Sequence, residues 1–182
     1  MTTIYLIRHG HAEAGWSEQR DPGLDDTGRR QAEKAAQALA DRGPAPVVVS
    51  PLRRARETAY EFEMLWRRPA TIENRVAEIP SPGMTLIERG DWLKSLTRRR
   101  WGDLDETLQQ WRREAIRSLL EITTDTVVVS HFMVINAVVS WVRDDEHVVC
   151  CHPLQGSRTT LRRDGESFQV LELGAEGPST VL

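Results

Sequence analysis

Two apolar runs in this chain each end in a histidine. Residues 4–7 are followed by Arg8-His9-Gly10, and residues 127–129 are followed by Ser130-His131. Short apolar runs bounded by polar residues are typical of buried strands. In an open α/β sheet, ligands bind outside the carboxyl ends of the strands. The sequence therefore predicts one site that brings the two histidines together, and an imidazole beside guanidinium groups suits an anionic phosphate.

Strand-like and helix-like apolar patterns alternate along most of the 182 residues. The alternation predicts a three-layer α/β/α sandwich with a mostly parallel central sheet. The length fits a single domain over residues 1–182, with a small helical lid or insertion around 81–111. Strands are predicted at 2–8, 47–49, 70–73, 126–130, 158–161 and 167–173. Helices are predicted at 28–42 (capped by Thr27), 51–66 (beginning with Pro51), 85–99, 104–122 and 133–142.

Composition narrows the classes of partner. The net charge is −3 and 40% of the residues are apolar, which predicts neither a nucleic-acid surface nor a membrane patch. No apolar run is long enough to span a bilayer, so we expect a cytoplasmic protein, monomeric or homodimeric. The cysteines, Cys150 and Cys151, are adjacent, which argues against a disulfide framework. We expect them to lie in the core without a role.

Two further segments place reactive side chains near predicted strand ends. Ser50-Pro51 follows the second strand and opens a helix that carries Arg53 and Arg54. Amide groups and arginines at a helix N-terminus form an anion site. Glu78 precedes a proline-containing stretch, in a predicted loop where an acid–base residue can lie. Glu73 and Glu88 are rival carboxylates.

Four motifs, in this order, resemble the histidine phosphatase superfamily, the phosphoglycerate mutase-like family. They are Arg8-His9-Gly10, LDDTGRRQA at 24–32, SPLRRARETA at 50–59 and VVVSH at 127–131. Any one of these motifs is weak alone, but four in the expected order are specific. The resemblance covers residues 3 to about 142 and implies the three-layer fold of the family.

The resemblance implies catalytic roles for five residues. His9 would be the nucleophile that becomes phosphohistidine, which splits one hard displacement into two easier ones. Arg8 and Arg54 would clamp the phosphoryl oxygens, and His131 would add a donor or a positive charge. Glu78 would protonate the leaving oxygen and later activate water. Phosphoryl transfer needs mainly positioning and charge neutralisation, so the resemblance implies neither a metal nor a cofactor.

Four more residues are predicted to contact the substrate: Gly10, His11, Ser17 and Phe132. His11 follows the signature and is expected at the rim of the phosphate pocket. Phe132 stands where the family commonly has glycine, so its ring is expected to narrow the pocket or stack on a substrate. The tryptophans of 81–111 are expected to pack inward on two amphipathic helices, or alternatively to shape a cap over the site.

The implied function is a cofactor-independent phosphomonoesterase that acts on a small phosphorylated metabolite. A phosphoglycerate-type mutase is an alternative, although mutases of this family are usually longer, and a phosphohistidine-protein phosphatase is another. A non-catalytic phospho-ligand binder would be expected to lack His9 or the acid. The pattern His9-x-His11-x-Glu13 also leaves a metallo-hydrolase open, although Arg8 and Arg54 would repel a cation.

Overall fold

The computed structural model describes residues 1–15 and 17–177. Within these residues, six strands form one sheet, in the order β3-β2-β4-β1-β5-β6. The strands are β1 (Thr2–Arg8), β2 (Val47–Val49), β3 (Thr71–Ile72), β4 (Thr126–Ser130), β5 (Arg158–Asp164) and β6 (Ser167–Glu172). The helices are α1 (Asp26–Gln37), α2 (Arg53–Trp66), α3 (Leu86–Leu96), α4 (Glu106–Leu120) and α5 (Phe132–Val142), with short 3₁₀ turns at Ala40–Arg42, Asn74–Val76 and Trp101–Asp103.

Strands β1 to β4 run parallel, and β5 and β6 are antiparallel additions at one side. The predicted α/β fold with a mostly parallel sheet is confirmed. In the parallel part, Arg8 pairs with Ser130 and Val49 pairs with Val129. The register therefore ends β1, β2 and β4 at the same level, and the residues that follow them share one edge of the sheet.

Alternating residues of the central strands point to opposite layers. Tyr5 and Ile7 of β1 pack with the apolar face of α1 and with Ala55, Ala59 and Phe62 of α2. The intervening side chains of β1 pack instead against α4 and α5. This period of two explains why the central strands read as continuous apolar runs, since both of their faces are buried.

A third apolar cluster joins the segment 81–111 to α5. Trp101 is 2% exposed, its ring stacks on that of Trp111 at 6.4 Å between centroids, and its Nε1 donates to Ser140 Oγ at 2.8 Å. The guanidinium of Arg112 lies 4.4 Å from the Trp101 ring centre. The tryptophans at 101 and 111 thus face inward, as the amphipathic pattern predicts. None of the helices in the described part of the chain is long and apolar enough to cross a membrane.

Several helix ends differ from the sequence prediction. Asp25, not Thr27, caps α1, because its carboxylate accepts the amide of Gly28 at 2.7 Å. The regular helix ends at Gln37, and the Ala40–Arg42 turn takes up the rest of the predicted span. An aspartate and a threonine are both good capping residues, so only the local backbone decides between them.

The start of α2 also differs. Pro51 is not its first residue, because Leu52 is still extended and the helix begins at Arg53. The Arg53 amide is capped from a distant loop, by Asp21 Oδ1 at 2.8 Å. Sequence proximity cannot reveal a cap that lies about 30 residues away.

Candidate active site

The sheet edge brings the predicted site residues together. The His9 amide donates to the Ser130 carbonyl at 3.0 Å, and the Ser50 amide donates to the Val129 carbonyl at 3.1 Å. These bonds continue the strand pairing by one residue beyond β1 and β2. As a result, the side chains of His9 and His131 lie at the carboxyl edge, with ring centres 5.1 Å apart.

Arg54 joins the two histidines. Its Nε donates to His9 Nε2 at 3.1 Å, and its Nη2 lies 3.2 Å from His131 Nδ1. All three side chains are buried, with Arg54 1% exposed. We call His9, Arg54 and His131 the histidine–arginine cluster. A guanidinium can only donate, so both ring nitrogens that face Arg54 are acceptors.

This arrangement fixes the tautomer of His9. Because Nε2 accepts from Arg54, the proton sits on Nδ1, which donates to the Gly10 carbonyl at 2.7 Å. Burial, together with the positive charges of Arg54 and Arg8, holds the pKa of His9 well below its usual value. His9 is therefore neutral near pH 7, with a lone pair on Nε2.

His131 is also neutral. Its Nδ1 faces Arg54, so its Nε2 carries the proton and donates to Ser50 Oγ at 2.6 Å. Burial and then Arg54 hold the pKa of His131 well below its usual value. Of the two expectations for His131, a donor or a positive charge, the neutral ring with a proton on Nε2 favours the donor.

Arg8 lies under the same edge and is 1% exposed. Its Nη1 donates to the Pro153 carbonyl at 2.7 Å, and its guanidinium lies 5.0 Å from the ring centre of Phe132. Burial lowers the pKa of Arg8 to about 10, against the opposing effect of Glu78. Arg8 therefore remains cationic at neutral pH.

The three arginines at the start of α2 have different surroundings. Arg54 points into the site, whereas Arg53 is exposed and pairs with Glu57 at 2.7 Å. Arg56 is also exposed. The remaining nitrogen of Arg54, Nη1, lies 3.8 Å from Asp21, which is itself half-exposed. The 100° turn between successive helical residues accounts for the separation of Arg53 from Arg54.

Glu78 is buried within electrostatic reach of these arginines. Its segment is held to the strand end, because Ser130 Oγ donates to the Val76 carbonyl at 2.7 Å and Trp111 Nε1 donates to the Ala77 carbonyl at 3.2 Å. One oxygen of Glu78 accepts the Ile79 amide at 3.0 Å, and Oε2 has no hydrogen-bond partner among the described residues.

The pKa of Glu78 is shifted upward. Burial raises its pKa, while Arg54, Arg8 and Arg89 oppose that rise. Arg89, on α3, is buried and donates to Ser81 Oγ at 2.9 Å. Sequence reasoning did not single out Arg89, since an arginine in an amphipathic helix usually faces solvent.

The rival carboxylates have other partners. Glu73 forms a two-point ion pair with Arg75, which lowers the pKa of Glu73. Glu88 is exposed and completes a capping box with Thr85 at the start of α3. Both rival carboxylates are therefore engaged with neighbours outside the histidine–arginine cluster.

The predicted substrate contacts fall into two groups. His11 and Ser17 line a cavity of about 250 Å³ together with His9. His11 is 40% exposed and its Nδ1 lies 2.9 Å from Asp25. A larger cavity of about 590 Å³ lies along α2 and β3 and is lined by other residues.

Gly10 and Phe132 both make close packing contacts within the protein. The Gly10 amide donates to Thr58 Oγ1 at 3.0 Å, and a Cβ at Gly10 would lie 2.4 Å from the Gly28 carbonyl oxygen. Gly10 thus lets the loop pack closely on α1. The Phe132 side chain is fully buried in the apolar cluster beneath Arg8, where its ring packs against that guanidinium.

The residues of the alternative metal pattern have diverging partners. His11 faces Asp25, whereas Glu13 accepts the Gly23 amide at 3.1 Å and lies 3.5 Å from Arg53. Among the residues that the structure describes, no three His, Cys, Asp or Glu side chains are grouped so that they could hold a metal ion.

Thr58 helps to position the residues of the site, although the sequence prediction did not include it. Its hydroxyl accepts the Gly10 amide and donates to the Arg54 carbonyl at 2.8 Å. Thr58 follows Arg54 by four positions, so the two share one helix face. The four-residue spacing between Arg54 and Thr58 is the sequence signal that could have identified Thr58.

Curated relatives match different lengths of this chain. A bifunctional protein of Mycobacterium tuberculosis is 31% identical over 201 aligned residues, which take in 99% of this chain and 52% of the relative. A glucosyl-3-phosphoglycerate phosphatase of Mycolicibacterium vanbaalenii is 38% identical over 93 residues, 49% of this chain and 38% of the relative. The chain spans about half the length, or less, of these two relatives.

Solved structures share the fold at lower identity. A phosphoserine phosphatase of Entamoeba histolytica in complex with 3-phosphoglyceric acid gives a TM-score of 0.77 at 21% identity, covering 96% of this chain and 98% of that one. A mycobacterial glucosyl-3-phosphoglycerate phosphatase complexed with VO3 gives 0.75 at 20% identity, covering 96% and 99%.

The sequence also matches a whole family rather than single proteins. The match runs over residues 4–176, from β1 to the segment beyond β6, and so includes both strand-end histidines, the start of α2 and Glu78. The chain belongs to the histidine phosphatase superfamily, branch 1.

Proposed function

We propose that this chain is a phosphomonoesterase that hydrolyses small phosphorylated metabolites through a phosphohistidine at His9. The observation that carries the proposal is the histidine–arginine cluster, in which a neutral His9 presents its Nε2 lone pair beside a buried guanidinium. A neutral nitrogen nucleophile and a fixed cation are the two requirements of phosphoryl transfer to histidine.

Binding of the phosphoryl group rearranges the cluster. Arg54 donates to the lone pair of His9 that must attack, so its Nε–H has to move to a phosphoryl oxygen before the reaction. Arg8 supplies a second cation, and His131 supplies a neutral donor if its Nε2–H leaves Ser50. Charge-assisted hydrogen bonds to phosphate are stronger than bonds between neutral partners, so the exchange is favourable.

Glu78 then completes both halves of the reaction. In the first half, His9 Nε2 bonds to phosphorus while Glu78 gives its proton to the leaving oxygen. In the second half, the Glu78 carboxylate takes a proton from water as that water attacks phosphorus and His9 leaves. The raised pKa of Glu78 suits the first role, and the nearby arginines stabilise the carboxylate needed for the second.

The segment 81–111 is proposed to act as a small lid within a single domain over residues 1–182. Ser17 lies against α3, since a Cβ at Gly90 would be 3.0 Å from the Ser17 Cβ. Arg20 Nη2 donates to the Met84 carbonyl at 2.6 Å. The loop after β1 and the start of α3 therefore meet beside the cavity that holds His9.

Relatives of this chain suggest the class of substrate. The names of two structural or curated relatives give phosphoserine and glucosyl-3-phosphoglycerate as substrates of those proteins. A third relative, from Chelativorans, is a 2,3-bisphosphoglycerate-dependent phosphoglycerate mutase, 32% identical over 123 residues, 61% of this chain and 55% of the relative. A hydrolase and a mutase therefore both have to be tested.

The deciding experiment is a hydrolysis screen with and without 2,3-bisphosphoglycerate. The substrates are phosphoserine, 3-phosphoglycerate, glucosyl-3-phosphoglycerate and a phosphohistidine protein. We expect release of phosphate from at least one metabolite without the primer, inhibition by vanadate, and full activity in chelator. A need for the primer would establish the mutase, and activity lost in chelator and restored by zinc or manganese would contradict the metal-independent mechanism.

A further inference from the structure

Cys150 and Cys151 are held over one residue of α5. Both of their amides donate to Asn136 Oδ1, at 2.8 and 3.0 Å. The Sγ of Cys151 lies 3.5 Å from that oxygen, and the Sγ of Cys150 lies 4.0 Å from the Asn136 carbonyl oxygen. Both sulfurs thus lie against oxygens of the same residue, Asn136.

The two thiols differ in exposure and acidity. Cys150 is half-buried, whereas Cys151 is 2% exposed. The interaction with Cys151 lowers the pKa of Cys150 against the opposing effect of burial, while the same interaction and burial raise the pKa of Cys151. Thiolate character and access decide which thiol is oxidised first, so Cys150 is the more reactive of the two.

The segment that follows this thiol pair supports Arg8. The Pro153 carbonyl accepts Arg8 Nη1 at 2.7 Å. The Gly156 amide donates to the Arg8 carbonyl at 3.0 Å, and the Arg8 amide donates to the Ser157 carbonyl at 3.1 Å. Only one residue separates Cys151 from the carbonyl that holds the guanidinium. A displacement of the backbone at Cys150 and Cys151 is therefore expected to move the Pro153 carbonyl and so to reach Arg8.

A bond between the two sulfurs requires such a displacement. Neighbouring Cα atoms across a trans peptide are about 3.8 Å apart, whereas relaxed disulfides join Cα atoms about 4.4–6.8 Å apart. Closing the bond must change the backbone at Cys150 and Cys151 and disturb the two amide bonds to Asn136. A strained disulfide is also easily reduced, so its formation is reversible.

We propose that Cys150 and Cys151 form a modification site at which peroxide joins the two sulfurs and loosens the support of Arg8 by Pro153. The Cys150 thiolate attacks the O–O bond of hydrogen peroxide, becomes a sulfenic acid and releases hydroxide, which takes a proton to give water. The Cys151 thiol then attacks the sulfenic sulfur, forms the S–S bond and releases a second water. Two thiols lose two electrons in all, and one peroxide becomes two waters. The functional consequence rests on the proposed role of Arg8 in binding phosphate.

The test uses the full chain, reduced and then treated with hydrogen peroxide. Intact mass and alkylation measure the oxidation, and calorimetry with orthophosphate measures the site without requiring turnover. We expect a mass loss of two hydrogen atoms, loss of both alkylatable thiols, and phosphate binding that is weaker by about tenfold. Dithiothreitol should restore both the mass and the affinity.

Two serine variants serve as controls. Cys150→Ser and Cys151→Ser should bind phosphate like the reduced wild type and keep that affinity after peroxide. If Cys151→Ser does not fold, the half-buried Cys150→Ser provides the same comparison. An S–S bond with unchanged phosphate affinity, no S–S bond at peroxide levels that oxidise free cysteine, or an equal loss in Cys150→Ser would each overturn the proposal. A reduced protein that binds no phosphate contradicts the proposed function instead, and the mass still decides whether the bond forms.

Discussion

In the histidine–arginine cluster, every ring nitrogen of His9 and His131 has a hydrogen-bond partner, whereas the nearby Glu78 has one oxygen without a partner among the described residues. Both groups are buried, but only the cluster is internally satisfied. The cluster is therefore preorganised before substrate arrives, and Glu78 retains an acceptor and donor position for an incoming atom. We propose that this difference separates a phosphate-holding part of the site from a proton-transferring part.

The largest expected effect comes from removing the centre of the cluster. Arg54→Ala should lower kcat/KM for nitrophenyl phosphate by a hundredfold to a thousandfold, because it removes a buried clamp and leaves two histidines without their donor. Arg53→Ala is the matched control, since Arg53 pairs with Glu57 at the surface. Similar losses in the two variants would mean that the site is not organised around Arg54.

Substitution of Glu78 should affect the reaction according to its leaving group. Glu78→Gln should slow cleavage of an alkyl phosphate by about a hundredfold, because an alkoxide needs a proton to leave, and should slow nitrophenyl phosphate much less in its first step. Hydrolysis of the phosphoenzyme should slow for both esters, so rapid mixing should show a nitrophenolate burst.

Glu73→Gln is the control for that prediction, because Glu73 is engaged with Arg75. We expect it to cleave the alkyl ester like the wild type. If Glu78→Gln instead retains full activity on the alkyl ester, the general acid is another group, and Glu73 and Glu88 become the next candidates.

The neutral histidines also predict how stability depends on pH. The pKa of His9 is held well below its unfolded value of 6.5, so below pH 6.5 the unfolded chain binds a proton that the folded chain does not. The contribution of His9 to the free energy of unfolding is fully present above pH 6.5. It declines as the pH falls towards the folded pKa of His9, by up to about 1.4 kcal/mol per pH unit. Glu78, with a raised pKa, contributes in the opposite direction, and its contribution is lost as the pH rises through its folded pKa.

Urea denaturation between pH 7.5 and 5.5 measures this slope. His9→Gln should flatten it relative to the wild type. An equally steep slope in His9→Gln would show that His9 is not held neutral in the folded state.

The smallest effect is expected at the rim. His11→Ala should change KM for nitrophenyl phosphate by no more than about fivefold and leave kcat unchanged, because exposed polar contacts such as His11–Asp25 contribute about 1 kcal/mol or less. Steady-state kinetics with Ser17→Ala alongside would check this. A large fall in kcat would move His11 from the rim into the phosphate-holding part of the site.

The cluster is the part of the site that sequence reasoning predicts best. His9 and His131 follow buried strands, and strand ends in a parallel sheet share one edge, so local pattern and general topology suffice. The fold class follows from the same alternation of strands and helices. The inward packing of Trp111 also follows from helical spacing, whereas Trp101 lies in the short turn between α3 and α4.

Features set by distant contacts were beyond reach of the sequence. Asp21 caps a helix about 30 residues away, and Arg89 is buried because α3 packs with this side chain turned towards Glu78. Phe132 was expected beside the substrate because glycine is common there, but the chain turns its ring into the core below Arg8. In each case, packing between segments decides the direction of the side chain, and no local pattern encodes it.

Trapping of the phosphoenzyme tests the central claim most directly. The wild type is mixed with nitrophenyl phosphate, quenched in alkali and digested, and the phosphorylated peptide is sequenced by mass spectrometry. The account predicts an alkali-stable, acid-labile phosphate on His9, formed within one turnover and absent from His9→Ala, which should also be inactive. Phosphate on another residue, or a His9→Ala variant that still hydrolyses the substrate, would contradict it.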